Sequence, residues 1–410
     1  MTKMIRAIWT TIFAFFLVIP AHAQEGTQAG FGTFLEDTIW PKAKAAGVSR
    51  STFDRSVGSK TLDTSIPGLV KPGTNVPQKI RQAEFSAPAR YFNENNVGAI
   101  VNTGRKLAKT HARTLAAIER KYGVPGRVIL AIWGRESGFG RVNIPHDAFQ
   151  VLATKAYMST RPELFLAELI AALQMVERGL ASPAQMKSSW AGALGQPQFL
   201  PTSYLKHAVD FDGNGKPDIW DSVPDTLGSI GAYLAKFGWQ AGRDWGFEVS
   251  VPADVSCAFE GPDQARTISQ WEAMGIRRVG GKAFPANERN KSGSLLMPAG
   301  RLGPAFIVTP NFYVIKEYNE SDLYALFVGH AGDRIQYGSG RFSAGWSSVD
   351  SLYRSDIAKM QRALEAQGYD VGGADGLPGF KTRRSIGDWQ FVNGQSPTCF
   401  PSSALINAIR

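Results

Sequence analysis

The sequence predicts a mainly α-helical protein with a small β element, and three observations support that reading. Apolar residues recur at helical spacing in several long segments. Strand-like stretches are few: "FEVSV" (247–251), "AFIVTP" (305–310) and "NFYVIKEY" (311–318). Hydrophobic residues make up 43% and charged residues 20%, the balance of a folded globular chain rather than a disordered one.

Taken in order, the first 23 residues read as an export signal. Lys3 and Arg6 precede the apolar run "AIWTTIFAFFLVIP", and "AHA" offers a small-residue cleavage site before Gln24. The run is too short for a membrane anchor. A lipid-anchored chain would carry Cys where Gln24 stands, so a soluble, periplasmic protein is expected. Residues 34–125 read as helical. The segment Leu107 to Tyr122 is one helix, stopped by Gly123 and Pro125, and the chain then restarts as the helix carrying Glu136. Residues 162–180 form an amphipathic helix opened by Ser159 and Thr160, with Pro162 in its first turn and Gly179 at its end. A further helix spans about 223–237. The Gly/Ser-rich stretch 338–348 reads as a connector. Beyond it come a helix, a Gly/Asp-rich loop and a second helix capped by Thr382.

Charge narrows the function classes. Forty-five basic residues against 35 acidic ones give a net charge of +10. The basic residues are scattered, with no run beyond "IRRV" and "TRRS", which argues against nucleic acid as a partner. Attraction to an anionic cell-wall polymer is the simpler account. Cys257 and Cys399 are the only cysteines, and export admits a disulfide between them. Neither sits in a CxxC or Cys/His spacing, so metal binding by them is not expected.

The stretch "AIWGRESGFG" (131–140) holds the sharpest chemical signal. Ile129, Ile132 and Trp133 mark one helix face, and Glu136 takes the next slot on it, while Arg135 points to solvent. A half-buried carboxylate there has a raised pKa and can donate a proton near neutral pH. A structural Glu paired with a buried Arg fits this stretch equally well. Nearby in composition is "SSWAGALGQPQFLPTSY" (188–204). Ser189, Gln196, Gln198 and Tyr204 offer neutral hydrogen-bonding groups, and Trp190 and Phe199 offer apolar faces, as a sugar groove requires. Tyr313, Tyr318 and Tyr324, with Asn311 and Asn319, suit the same ligand, although aromatic strand residues serve a core more often than a ligand platform.

In "DFDGNGKPDIWD" (210–221), Asp210, Asp212, Asn214 and Gly215 fit the opening of a calcium loop, with Lys216 offering its carbonyl. The twelfth position is Asp221, and Asp225 could close a longer loop instead. An Asp/Gly-rich turn held by its own hydrogen bonds is the alternative. Absences matter as well: there is no H-E-x-x-H, G-x-S-x-G, Walker loop or GxGxxG, and the five His residues do not cluster. A glycosidase normally pairs two carboxylates. No second carboxylate stands out in an apolar setting comparable to that of Glu136.

Together these segments resemble the lytic murein transglycosylase B family. The similarity runs through "QAEFS" (82–86), 122–141, 188–234 and 311–335. The piece "GYDVGGADGLPGFKTRRSIGDWQ" resembles a peptidoglycan-binding type 1 domain. The resemblance implies a lysozyme-like catalytic core over 30–337, a linker over 338–353 and a peptidoglycan-binding domain over 354–410. It implies one catalytic carboxylate, Glu136. The substrate-groove positions it implies are Ser189, Gln198, Phe199, Tyr233 and Tyr318, to which the residue reading adds Tyr313 and Asn319. The implied calcium ligands are Asp210, Asp212, Asn214, Lys216 and Asp225. The reaction it implies cleaves the β-1,4 bond between N-acetylmuramic acid and N-acetylglucosamine. The muramic acid's own 6-hydroxyl attacks, giving 1,6-anhydro ends, with no cofactor needed for catalysis and calcium in a structural role only. A hydrolytic muramidase or a non-catalytic wall-binding protein are the alternatives. The expected partners are peptidoglycan glycan strands, and the chain is expected as a monomer.

Overall fold

The structure, a computed structural model, describes residues 28–70 and 88–409. The export signal and "QAEFS" lie outside the described residues. No helix among the described residues is long and apolar enough to cross a membrane.

A helical body comes first: α1 (Gln28–Phe34), α2 (Trp40–Ala45), α3 (Arg50–Phe53), α4 (Glu94–Thr110), α5 (Ala112–Tyr122), α6 (Gly126–Ser137), α7 (Ala148–Met158), α8 (Pro162–Glu177), α9 (Pro201–His207) and α10 (Val223–Lys236). Two short strands, β1 (His146–Asp147) and β2 (Lys187–Ser188), pair antiparallel on it. A β unit follows, with β3 (Gly246–Ser250), β4 (Arg266–Thr267), α11 (Ile268–Ala273), β5 (Arg277–Arg278), β6 (Ser292–Leu296), β7 (Pro298–Arg301) and β8 (Ala305–Val308). Its five-stranded antiparallel sheet has the order β4-β6-β8-β3-β5. The register sets Phe247 and Leu295 on either side of Ile307, and these side chains join Trp271 in a core separate from the helical one. The chain then returns to the helical body with α12 (Pro310–Lys316) and α13 (Asp322–Tyr337). Three last helices, α14 (Arg354–Ala366), α15 (Phe380–Val392) and α16 (Ser403–Ala408), close a third core around Ile357, Leu364, Ile386 and Trp389.

The acid-bearing helix is more enclosed than its periodicity predicts. Residues 127–134 of α6 are all buried, not one face of them, because α4, α10 and α13 wall it in. Gly134 permits this closeness: a Cβ there would stand 2.6 Å from the Phe139 ring.

Several local expectations are corrected. "NFYVIKEY" is mainly helix, not strand. Thr309 accepts a hydrogen bond from the Asn311 N–H, Pro310 occupies the first turn, and Phe312 and Ile315 bury one face three residues apart. Its aromatic and β-branched content suggested a strand, but the cap and the burial period decide the outcome. The helix expected over Leu107 to Tyr122 is broken at His111. Arg161, not Ser159 or Thr160, precedes α8, and Ser159 Oγ accepts from the Arg161 N–H instead. Thr382 lies inside α15, which Gly379 precedes, and its hydroxyl donates to the Val371 carbonyl.

The expected connector packs onto the body: Trp346 stacks on Phe92 at 5.3 Å, and Phe342 lies 4.0 Å from His330. A disulfide joins Cys257 of the β unit to Cys399, with Cα atoms 6.2 Å apart.

Candidate active site

Glu136 occupies the last turn of α6, half-buried, where the chain leaves the helix through Gly138, Phe139 and Gly140. All three have positive φ, at 57°, 64° and 75°. Phe139 is the unusual one, since a Cβ in this region costs on the order of 1 kcal/mol. Its ring packs edge-on against Trp133 at 5.3 Å, which offsets that strain by burial. Ser137 Oγ accepts from the Gly140 N–H and ties the turn back to the helix.

Burial pushes the Glu136 carboxyl up to about 7, against the opposing pull of a hydrogen bond from Tyr324 and the charge of Arg135. The Tyr324 hydroxyl donates to Glu136 Oε1 at 2.5 Å. Tyr324 is itself 1% exposed and lies near-parallel to Tyr318 at 6.4 Å. No cation forms a salt bridge with Glu136 among the described residues, and Arg135 points outward against Tyr91 and Phe327. The choice between a paired structural Glu and an unpaired, protonatable one therefore falls to the second.

Glu136 faces a cleft lined by Val142, Asn143, His146, Ser189, Trp190 and Gln198. Of the expected groove residues, Ser189 and Gln198 are here. Trp190 is here too, half exposed, with the Lys155 ammonium 4.9 Å from its ring. Phe199, Tyr233 and Tyr318 form a packed aromatic cluster beside the cleft, with centroids 4.9–5.9 Å apart. The Tyr318 hydroxyl donates to the Pro197 carbonyl, and that of Tyr233 to the Glu317 carbonyl.

Five other expected contacts are not in this cleft. Tyr313 lines a separate hollow with Phe237 and Pro310, and Asn319 lines another, facing the C-terminal helices. Asn311 is buried and holds Gln240 and Arg243 backbone groups. Tyr204 is buried, donating to the Pro217 carbonyl. Gln196 serves the scaffold, accepting from Trp133 Nε1 and donating to the Trp220 carbonyl. Asn143 and His146 carry no motif that marks them as ligands, and the left-handed turn delivers them to the cleft.

Other carboxylates are buried as Glu136 is, contrary to the expectation that it stands alone. Glu168, 3% exposed, has its pKa raised by burial, and Asp333 is pushed by burial up to about 7. Neither lines the cleft. Glu168 accepts from the backbone N–H and hydroxyl of Thr202 at the start of α9. Asp333 accepts from Trp245 Nε1.

The acidic loop gathers Asp210, Asp212 and Asp225, with ligand oxygens within 4.8 Å of one another. Asp225 is fully buried in α10's first turn and accepts from the N–H groups of Phe211, Asp212 and Asp218. Asp221 is not in the group; its N–H donates to Asp218 instead. Three converging carboxylates, which form no salt bridge among the described residues, make an oxygen donor set suited to a hard cation.

A mainly helical body with a lone, unpaired glutamic acid in a cleft of small polar and aromatic groups defines a lysozyme-like domain. The chain belongs to the Transglycosylase SLT domain family, whose description matches residues 30–333. It is similar to the membrane-bound lytic murein transglycosylase B of Escherichia coli (strain K12), at 34% identity over 217 residues. That match covers 52% of this chain and 58% of that protein, so the chain spans little more than half of that relative's length. Among solved structures, SltB3 from Pseudomonas aeruginosa, in complex with NAG-anhNAM-pentapeptide, is 37% identical with a TM-score of 0.83. The match covers 93% of this chain and 99% of that one, and so reaches beyond residue 333. The Escherichia coli lytic transglycosylase Slt35, in complex with calcium, is 27% identical with a TM-score of 0.61, covering 78% and 99%.

Proposed function

We propose that this chain is a lytic transglycosylase that cuts peptidoglycan glycan strands between N-acetylmuramic acid and N-acetylglucosamine. Glu136, protonated near neutral pH, donates its proton to the glycosidic oxygen. The bond breaks with oxocarbenium character at the muramic acid anomeric carbon. Glu136, now a carboxylate, takes the proton of that sugar's 6-hydroxyl as the oxygen closes on the anomeric carbon. The product is a 1,6-anhydro end, and one carboxylate serves as acid and then base. Tyr324 steadies the charged form between the two steps. Ser189 and Gln198 supply neutral hydrogen bonds, and Trp190 offers an apolar face to a ring.

The observation that carries this reading is the composition of the cleft. Among the described residues that line it, Glu136 is the only carboxylate, and a hydrolase would need a second to activate water. Digestion of purified sacculi tests it. Anhydro products are one water lighter than hydrolytic ones. Glu136→Gln is expected to lose at least about a thousandfold in activity while still binding sacculi. Hydrated ends would make the chain a muramidase, and undiminished clearing by the variant would remove Glu136 from the reaction.

By the same reading, residues 30–337 form the catalytic region and 354–410 a wall-binding unit, in a protein exported to the periplasm. Asp210, Asp212 and Asp225, with Asn214 and the Lys216 carbonyl, would hold calcium in a structural role, neutralising three clustered charges. Calcium is expected to raise the melting temperature of the wild type and not that of Asp225→Asn.

A further inference from the structure

The C-terminal unit reaches the active site through a buried ion cluster. Arg383 of α15 is 1% exposed and Glu260 of the β unit is fully buried. Arg383 Nη2 and Nε donate to the two Glu260 oxygens at 2.6 and 2.9 Å, and Nη1 donates to the Pro378 carbonyl. Nη2 also donates to Asp322 at 3.1 Å, and Lys316 Nζ donates to the other Asp322 oxygen at 2.6 Å. Burial would raise the Asp322 carboxyl, but Lys316 and Arg383 hold it below its ordinary value. The unit cannot easily drift. Cys257, three residues before Glu260, is bonded to Cys399, and α15 lies directly on that bridge: a Cβ on Gly387 would stand 2.2 Å from the Cys399 sulfur.

Asp322 is the first residue of α13, the helix that carries Tyr324. The cap of that helix lands on the same tyrosine, since Ser321 Oγ accepts from the Tyr324 N–H at 3.1 Å. Buried ion clusters add little net stability over well-packed apolar groups, and their best-attested use is to fix one arrangement of the elements they join. Here the joined elements are the C-terminal unit and the start of the helix that touches the acid.

We infer that Arg383 is a positioning residue for the acid: by holding Asp322 from the C-terminal unit, it sets the start of α13 so that the Tyr324 hydroxyl meets Glu136. The inference rests on the reading of Glu136 as the acid. Tyr324 donates to Glu136 from α13, with Tyr318 lying behind it. Arg135 is its neighbour on α6, and His146 faces it across the cleft from β1. Only the tyrosine pair lies along the path from Asp322.

Asp322→Asn cuts this link, and the Lys316 pair with it, while sparing the Arg383–Glu260 pair and the disulfide. Lys316→Met, which removes only the other partner of Asp322, is expected to keep the wild-type pH–rate profile, and a shift there equal to that of Asp322→Asn overturns the inference. In the full-length protein Asp322→Asn is expected to keep the wild-type circular dichroism and a KM within about twofold. Its kcat should fall about fivefold, and the alkaline limb of the pH–rate profile should rise by about half a unit. The double variant Asp322→Asn/Tyr324→Phe should show the limb of Tyr324→Phe alone, because both changes remove one interaction. A wild-type profile for Asp322→Asn, or full additivity with Tyr324→Phe, overturns the inference. If Asp322→Asn does not fold, Arg383→Lys, which keeps the charge and loses the planar fork, is read the same way. Undiminished clearing of sacculi by Glu136→Gln defeats the reading of Glu136 as the acid and the inference with it, whereas hydrated ends with an inactive Glu136→Gln change the reaction and leave the inference standing.

Discussion

Burial pushes the carboxyls of both Glu136 and Glu260 up, and the protein gives the two glutamates different partners. Glu260 meets the Arg383 guanidinium fork and the Met297 N–H. Burial works against the charge of Arg383, but Glu260 and Asp322 outweigh it and keep the guanidinium firmly protonated. Among the described residues Glu136 meets one phenol and no salt-bridging cation, so burial pushes its carboxyl up to about 7 and leaves it a proton to give. Burial alone therefore marks neither site. What separates a structural carboxylate from one proposed to react is the partner supplied to it, and whether a cleft opens beside it.

The comparison breaks most visibly at the paired site. Glu260→Gln leaves a buried guanidinium without its main counter-charge and is expected to cost about 3–5 kcal/mol, read as a fall in denaturation midpoint. At the unpaired site the same chemical change acts in the other direction. The folded-state pKa of Glu136 is raised above its unfolded value of 4.5 to about 7, so its contribution to stability is present below pH 4.5 and lost as pH rises through 7. Glu136→Gln removes that dependence and should be about 2 kcal/mol more stable than wild type at pH 8, with no gain at pH 4. Denaturant titrations at the two pH values check both variants.

Tyr324→Phe gives a smaller effect than either and sharpens the comparison. The hydroxyl lowers the Glu136 pKa, so its loss moves the alkaline limb of activity up by about one unit. It should also cost about tenfold in rate at the optimum, with little change in melting temperature.

Much of this was legible locally. The turn around Glu136 announces itself through Gly138 and Gly140, and α10 lies almost where its spacing put it, at Val223–Lys236. Asp210, Asp212 and Asn214 sit in one short loop because their motif is a single contiguous turn. Errors arose where a residue's partner is far away in the chain. Tyr204 and Gln196 have the chemistry of sugar ligands, but Pro217, Trp133 and Trp220 use up their polar groups. Tyr324 reads in sequence like the other tyrosines expected to contact sugar, and nothing near it in sequence points to a carboxylate 188 residues earlier.

The sequence by itself determined the helical class and the placement of a carboxylate on an apolar helix face. It also determined the acidic loop, because spacing and turn chemistry act between near neighbours. Tertiary structure alone decided that Glu136 goes unpaired while Glu260 does not, and that Asp225 rather than Asp221 joins the acidic group. It alone brought Arg383 to the start of the helix bearing Tyr324. Each of these depends on which distant charges and walls arrive beside a group, and a carboxylate's protonation follows the arriving neighbours rather than the residues on either side of it.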